Sequence, residues 1–342
     1  MKRHLIRLFI TALLLTFAAG LIALDANREL LKPLAITEHQ TLELRPGSRL
    51  RDAVAILNER SIFTARRQGL YLEFWARANG QAAAIKAGEY ALDPGLSSLD
   101  LLAMLVGGRT LLHELRIVEG LRFDQALKLI AEHPVLIHTL ADGRPETAMA
   151  AIGKSDLHPE GRFFPDTYRF PKGTTDVAIL RQAFGAMSRV LEESWARRAA
   201  DLPYAGPEDA LTMASIVEKE TGAPQERSRI AGVFVRRLKL GMRLQTDPTV
   251  IYGIGERFDG NLRKADLLAD GPYNTYVRAG LPPTPICLPG RAAIEAALAP
   301  AAGNELFFVS RGDGSHQFSA TVEEHDAAVR QYQLRGISGA RK

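Results

Sequence analysis

The first pattern along the chain is an unbroken apolar run near its start. Residues 8–24 carry no charged side chain, and with the apolar pair before Arg7 the run reaches about 20 residues, the length that spans the hydrocarbon core of a bilayer. Lysine and arginine precede the run, whereas Asp25 and Glu29 follow it. We therefore predict a cytoplasmic stretch at residues 1–4 and a transmembrane anchor at residues 5–24, with the rest of the chain outside. A cleaved signal peptide is the alternative.

Short strands and helices follow a linker predicted at residues 25–40. Residues 41–47 alternate apolar and polar side chains and end in a turn, which predicts a strand. Helical spacing recurs over residues 48–60 and 66–79, and a second strand is predicted over residues 85–95. This strand, helix, helix, strand order resembles a LysM-like carbohydrate-binding module. The same order is equally typical of a small α+β spacer, because periodicity says nothing about sugar.

The remainder of the chain is richer in helical patterns. Residues 133–155 are weakly patterned and contain several prolines and glycines, which fits a connecting segment. Helical periods then recur, followed by turns and a final pair of strands over residues 305–311 and 316–320. We predict an α+β fold, with a LysM-like module and its connecting segment at residues 41–155 and a larger mixed α/β domain at residues 156–342.

Composition narrows the possible functions. The 342 residues are 46% apolar, which is typical of a globular protein, and the net charge of +4 is mildly basic. The sequence contains no block of lysine and arginine of the kind found in nucleic-acid-binding proteins. The single cysteine, Cys287, cannot form an internal disulfide and lies among apolar residues and prolines. No cysteine/histidine cluster has the spacing of metal ligands. We therefore predict neither a metal, nor an organic cofactor, nor a nucleic-acid partner.

Two glutamates, Glu218 and Glu220, end a helix predicted over residues 207–221. Glu218 shares a helical face with Leu211, and Glu220 shares one with Met213. Both acids border the apolar stripe, so periodicity does not choose between them. Apolar surroundings disfavour the ionised form of a carboxyl group, which raises its pKa and makes it a usable proton donor near neutral pH. The alternative is that both side chains reach water at the helix end.

Further motifs accompany these glutamates in a fixed order. The segment E-G-R-F-F-P-D-T-Y (160–168) precedes A-S-I-V-E-K-E-T (214–221). R-L-Q-T-D-P-T-V-I-Y-G (243–253), P-Y-N-T-Y-V-R-A-G-L-P-P-T-P-I-C-L-P-G (272–290) and H-Q-F-S-A-T-V-E-E-H (316–325) follow. Together they closely resemble the YceG-like family of membrane-anchored endolytic murein transglycosylases. The resemblance covers essentially the whole chain after the anchor, and the anchor and LysM-like module match the family's architecture.

The resemblance implies roles for individual residues. It points to Glu218, the first acid of E-K-E-T, as the catalytic glutamate. The side chains that it implies for substrate binding are Gln245, Thr246, Asp247, Tyr252, Asn274, Thr275, Tyr276 and His316. Glu160 and Asp166, in the aromatic segment, are weaker candidates. That segment carries phenylalanine and tyrosine where relatives carry tryptophan, which bears on sugar affinity rather than on the chemistry.

The resemblance also implies an activity and a location. The expected reaction is cleavage of the MurNAc-GlcNAc β-1,4 bond of nascent peptidoglycan without water, leaving a 1,6-anhydro-MurNAc end and terminating glycan elongation. The expected location is the cytoplasmic (inner) membrane, single-pass, with the C-terminal domains on the periplasmic side and a peptidoglycan synthase as a compatible partner. Two alternatives remain. One is a hydrolase that uses Asp247, Glu160 or Asp166 as a second carboxylate. The other is a non-catalytic peptidoglycan-binding protein.

Overall fold

The computed structural model describes residues 2–334, and the chain divides into two compact units. The N-terminal unit comprises Met1–His113 and Arg169–Gly173, and the C-terminal unit comprises Glu114–Tyr168 and Thr174–Lys342. The boundary predicted at residue 156 therefore falls inside the C-terminal unit, and the whole of the predicted connecting segment, residues 133–155, belongs to that unit.

The N-terminal unit begins with the long helix α1, Lys2–Leu31. Its apolar part has a mean hydropathy of 2.3 and no cover from the rest of the described chain. The helix continues beyond Leu24 into the segment predicted as a linker, since residues 25–31 contain no glycine or proline that would end it. At its far end Leu30 is 2% exposed and packs into the core of the unit.

A small mixed structure follows α1. Its elements are β1 (Gln40–Leu44), α2 (Leu50–Glu59), α3 (Arg66–Ala78), β2 (Gly88–Leu92) and α4 (Ser98–Gly107). The two strands are antiparallel, with Leu42 opposite Tyr90. Both side chains are fully buried, because alternate residues of each strand face the helices. The predicted strand, helix, helix, strand order is thus present in this unit.

The C-terminal unit is mainly helical. Its elements, with β3 and β4 partly in the other unit, are β3 (Leu112–Arg116), α5 (Phe123–Ala131), α6 (Pro145–Ala151), β4 (Thr167–Pro171), α7 (Asp176–Ala196), α8 (Pro207–Glu220), α9 (Arg227–Lys239), α10 (Asp247–Ile254), α11 (Lys264–Leu268), α12 (Arg291–Leu298), β5 (Phe307–Ser310), β6 (His316–Ser319) and α13 (Val322–Val329). A π-helical turn, Arg330–Leu334, ends the described chain. β3 pairs with β4, and β5 forms an antiparallel hairpin with β6.

Helix α8 forms the centre of this unit. It packs against α7, α9, α10 and α12. Every residue from Ala210 to Val217 is buried, so the helix has no solvent-facing side over this stretch. Small and apolar side chains on all faces permit this arrangement. The chain leaves the core only at the last turn of α8, which is where the two glutamates lie.

Candidate active site

Glu220, the last residue of α8, faces a cavity of about 460 Å³. Four of the side chains predicted to bind substrate also line this cavity: Gln245, Asp247, Tyr276 and His316. They come from the segment before α10, the start of α10, the loop before α12 and strand β6. The fold therefore gathers polar groups from three separate segments of the chain around one carboxyl group.

The environment of Glu220 favours its neutral form. Burial is the main cause, and it raises the pKa of Glu220 to about 7 from the usual 4.5. The negative charge of Asp247 raises this pKa further, whereas the Thr246 hydroxyl and the positive charge of Arg237 oppose the shift. A carboxyl group with a pKa near 7 is present in both protonation states at neutral pH. It can therefore donate a proton and afterwards accept one.

Asp247 is the second carboxylate of the cavity. It is the first residue of α10, and Pro248 follows it at a position where proline favours the start of a helix. The Tyr276 hydroxyl donates a hydrogen bond of 2.6 Å to Asp247 Oδ1. This bond orients the carboxylate within the cavity, and burial together with the nearby Asp247 charge raises the pKa of Tyr276.

Gln245 approaches the cavity from a strained backbone. Its φ is +54°, in the left-handed region that residues other than glycine rarely adopt. The Gln245 backbone N–H donates to the Thr275 backbone carbonyl at 3.1 Å, which helps to hold the segment in place. Backbone strain of this kind persists only where the surroundings impose it, and it concentrates at functional sites.

Arg237 also lines the cavity, although no sequence motif pointed to it. Its guanidinium donates to the carbonyl oxygens of Leu306 at 2.6 Å and Leu244 at 2.8 Å. It also lies over the ring of Phe307, 5.1 Å from the ring centre. A signal was present in the sequence, because Arg237 lies seven residues after Ile230 and so on the buried stripe of α9.

His316 is held by a neighbouring acid. Its Nδ1 lies 2.6 Å from Glu226 Oε2, and its backbone N–H donates to Glu226 Oε1 at 3.0 Å. Glu226 ends a short 3-10 turn, Pro224–Glu226, directly after α8. The Phe308 ring packs nearly at a right angle to the imidazole, with the ring centres 5.4 Å apart. His316 therefore presents a fixed ring to the cavity.

Three other predicted residues support the site without lining the cavity. The Asn274 side-chain amide donates to the carbonyl oxygens of residues 266, 267 and 269, which uses its donors to hold the loop. Thr275 is 2% exposed, and its hydroxyl accepts from Thr246 N–H at 3.1 Å. Thr246 is 1% exposed and lies beside Glu220. These side chains shape the cavity wall.

Glu218 does not line the cavity that contains Glu220. Its Oε2 accepts a hydrogen bond of 2.9 Å from the Gly290 N–H, and its Oε1 lies 3.5 Å from an Arg227 nitrogen. Its side chain is 6% exposed, and burial raises its pKa while the Gly290 N–H opposes the shift. A Cβ at Gly290 would lie 1.9 Å from Glu119 Oε1, so the residue that donates to Glu218 also packs tightly against Glu119.

A second cavity, of about 650 Å³, contains Glu160 and Tyr252. Glu160 accepts hydrogen bonds from Phe123 N–H at 3.0 Å and from the Tyr252 hydroxyl at 3.1 Å. Burial raises the pKa of Glu160 to about 7. Asp166 is exposed, and its carboxylate accepts from Thr167 N–H at 2.7 Å. Neither acid lines the cavity of Glu220. Within residues 2–334, no group of three or more His, Cys, Asp or Glu side chains is arranged to hold a metal ion.

Comparison with known proteins agrees with the motifs. The sequence model of the YceG-like family matches residues 42–331. An endolytic murein transglycosylase of Bacillus subtilis is 30% identical over 325 residues, covering 90% of this chain and 89% of the relative. An endolytic murein transglycosylase of Streptococcus pneumoniae is 27% identical, covering 92% of this chain and 60% of the relative. A crystal structure of a yceG-like protein from Listeria monocytogenes is 32% identical, with a TM-score of 0.54, covering 85% of this chain and 99% of that chain.

Proposed function

We propose that this chain, which belongs to the YceG-like family, is a membrane-anchored endolytic lytic transglycosylase. Its substrate is the glycan strand of nascent peptidoglycan, and it cleaves the MurNAc-GlcNAc β-1,4 bond to leave a 1,6-anhydro-MurNAc end. The observation that carries the proposal is a glutamate with a pKa of about 7 in a cavity lined by the family's polar motif residues.

We assign the general acid to Glu220 rather than to Glu218. The family resemblance pointed to the first acid of E-K-E-T, but Glu220 alone of the two lines the cavity with Gln245, Asp247 and Tyr276. Glu218 is engaged by the Gly290 N–H and by Arg227. In this assignment Glu218 positions the loop at Gly290 and takes no proton from the substrate.

The reaction needs a single proton-transferring carboxyl group. Protonated Glu220 gives its proton to the glycosidic oxygen as the bond from that oxygen to C1 of MurNAc breaks. The C6 hydroxyl oxygen of the same sugar then bonds to C1, and its proton passes to the Glu220 carboxylate. No water is consumed, and Glu220 returns to its starting state. Attack from within the same sugar avoids most of the entropy cost of bringing in a second reactant.

The other groups of the cavity stabilise charge and hold the sugar. Asp247, oriented by the Tyr276 hydroxyl, places a negative charge close to the cation-like sugar ring of the transition state. Gln245 and His316 offer hydrogen bonds to the N-acetyl and hydroxyl groups of the strand. Asn274, Thr275 and Tyr252 act outside this cavity, the first two by holding its wall.

The test is mass spectrometry of the products from purified glycan strands. The full chain in detergent is compared with the Glu220→Gln and Glu218→Gln variants, which are matched because each replaces one carboxylate by an amide of the same shape. We expect anhydro-MurNAc ends from wild type and from Glu218→Gln, and none from Glu220→Gln. The reverse pattern would return the catalytic role to Glu218.

A hydrolase of the same polymer is the second candidate. The presence of Glu220 and Asp247 in one cavity favours it, because glycoside hydrolases use two carboxyl groups. Its products would carry reducing MurNAc ends that are heavier by one water. Absence of cleavage by folded wild-type protein would instead support a non-catalytic peptidoglycan-binding protein.

The long apolar helix suits an anchor in the cytoplasmic membrane with both units on the periplasmic side. A tethered enzyme reaches new strands near the membrane and so limits their length, in the neighbourhood of the synthases that make them. Mass spectrometry of the mature protein in the membrane fraction distinguishes this anchor from a cleaved signal sequence. An anchored protein retains the apolar segment, whereas a cleaved signal sequence is missing from the mature chain.

A further inference from the structure

Helix α3 of the N-terminal unit carries an exposed apolar face. Phe74 is 73% exposed and Leu70 is 65% exposed, and the two lie four residues apart on one side of the helix. Other residues of α3, among them Leu72 and Ala76, pack into the core of the unit. Large apolar side chains exposed side by side mark a candidate interaction surface.

Polar contacts join α3 to the helix that precedes it. An Arg67 nitrogen lies 3.1 Å from Asp25 Oδ2, and another lies 2.9 Å from Glu29 Oε1. The Tyr71 hydroxyl donates to Asp25 Oδ2 at 3.0 Å. Asp25 is the residue directly after the apolar run that ends at Leu24. The contacts therefore hold α3 within one turn of the point where that run ends.

The order of these contacts around α3 shows which way the exposed face points. Successive residues of a helix are rotated by about 100°, so Gln68, Tyr71 and Phe74 follow one another in steps of about 60°. Gln68 donates to the Glu29 carbonyl at 2.9 Å, and Tyr71 reaches Asp25, about 6 Å nearer the apolar run. The next step in this direction leads to Phe74, and Leu70 lies beside it. The exposed face is turned toward the apolar run.

We propose that this face of α3, Leu70 and Phe74, lies in the headgroup region of the bilayer that α1 spans. The inference rests on the anchor part of the proposed function. Aromatic and apolar side chains are favoured at this depth. The exposed side chain of Arg66 borders the face and is long enough to reach lipid phosphates, whereas Arg77, which also borders it, is paired with Glu73 at 2.6 Å. The N-terminal unit is then fixed to the membrane surface by α3 as well as by α1.

The test is fluorescence quenching by lipids brominated along their acyl chains. The full chain is reconstituted in vesicles of phosphatidylcholine and phosphatidylglycerol. Replacing Trp75 and Trp195, the two native tryptophans, by phenylalanine allows one tryptophan to be placed at a chosen position. The test position is Phe74→Trp. Helix α1 supplies matched depth controls, Leu24→Trp at the end of the apolar run and Leu31→Trp about 10 Å beyond it.

We expect the tryptophan at position 74 to be quenched like that at position 24, and at least about twofold more than that at position 31. Quenching at position 74 no stronger than at position 31 would overturn the inference. If a cross-linker at position 74 then joined two chains, a second copy rather than lipid would cover this face. Extraction of the wild-type protein from the membrane by alkaline carbonate would instead show that α1 does not anchor the chain. Quenching of the tryptophan at position 24 tests separately whether α1 lies in the bilayer.

A nitroxide attached at Phe74→Cys gives a second measurement. The native Cys287 is buried and does not compete for the label. We expect the label to collide more often with oxygen, which concentrates in lipid, than with a water-soluble nickel complex. Equal or greater accessibility to the nickel complex would contradict the proposed position of α3.

Discussion

Glu220→Gln should abolish activity and at the same time stabilise the protein at alkaline pH. The pKa of Glu220 is about 7 in the folded chain, against 4.5 as its usual value. The folded state therefore binds this proton more tightly than the unfolded state does. Between these two pKa values, rising pH removes stability, and above pH 7 the full penalty of an ionised, buried carboxylate is present. Glutamine carries no such charge.

The size of the effect follows from the two pKa values. Each pKa unit is worth about 1.4 kcal/mol, so the difference corresponds to about 3 kcal/mol at pH 8 and to almost nothing at pH 4. For a unit of this size, the variant's melting temperature should exceed that of wild type by about 5–10 °C at pH 8. Glu160 also has a pKa of about 7, but it is present in both proteins and cancels in the comparison.

The assay is thermal unfolding of the full chain in detergent, followed by the fluorescence of Trp195 in a Trp75→Phe background. Trp195 packs against the core that contains α8, so it reports on the unit of interest. The difference between Glu220→Gln and wild type is measured from pH 5 to pH 8. A difference that stays constant or shrinks as pH rises would refute the claim that Glu220 is held neutral by burial. It would also remove the basis for choosing it as the proton donor.

Three further variants test the surroundings of the site. Glu218→Gln keeps an acceptor for the Gly290 N–H and loses the charge paired with Arg227. We therefore expect turnover of glycan strands to stay within about tenfold of wild type. A loss of activity as complete as that of Glu220→Gln would contradict this expectation. Tyr276→Phe removes the hydroxyl that orients Asp247, and we expect kcat to fall about tenfold with little change in KM, whereas an unchanged kcat would make the contact incidental. Gly290→Ala places a Cβ against Glu119 and should lower the free energy of unfolding by about 1–3 kcal/mol, measured by urea titration. An unchanged urea midpoint would show that the segments around Gly290 and Glu119 move apart without cost.

The sequence predicted many of the helices and strands, and four of the residues it proposed for substrate binding line one cavity in the structure. The apolar run predicted the long helix α1, and hydrophobic spacing predicted the strands and helices of the N-terminal unit and α8, because local periodicity reports which side of an element is buried. Family motifs selected Gln245, Asp247, Tyr276 and His316, and the fold brings these four to one cavity. The sequence did not distinguish these four residues from Asn274, because an amide side chain is suited equally to binding a sugar and to holding a loop. In the structure the Asn274 amide holds the loop.

Only the tertiary structure shows that Glu220 and Glu218 have different surroundings. Hydrophobic periodicity does not choose between them, because α8 is buried on all sides from Ala210 to Val217, whereas the family resemblance pointed to Glu218. What separates them is the position of distant segments: the Gly290 loop lies against Glu218, and the segment before α10 opens a cavity beside Glu220. The pKa of each carboxyl group depends on these neighbours rather than on the helix that carries it. Chain-local patterns thus place both carboxyl groups at the end of α8, and long-range packing determines the surroundings and the pKa of each.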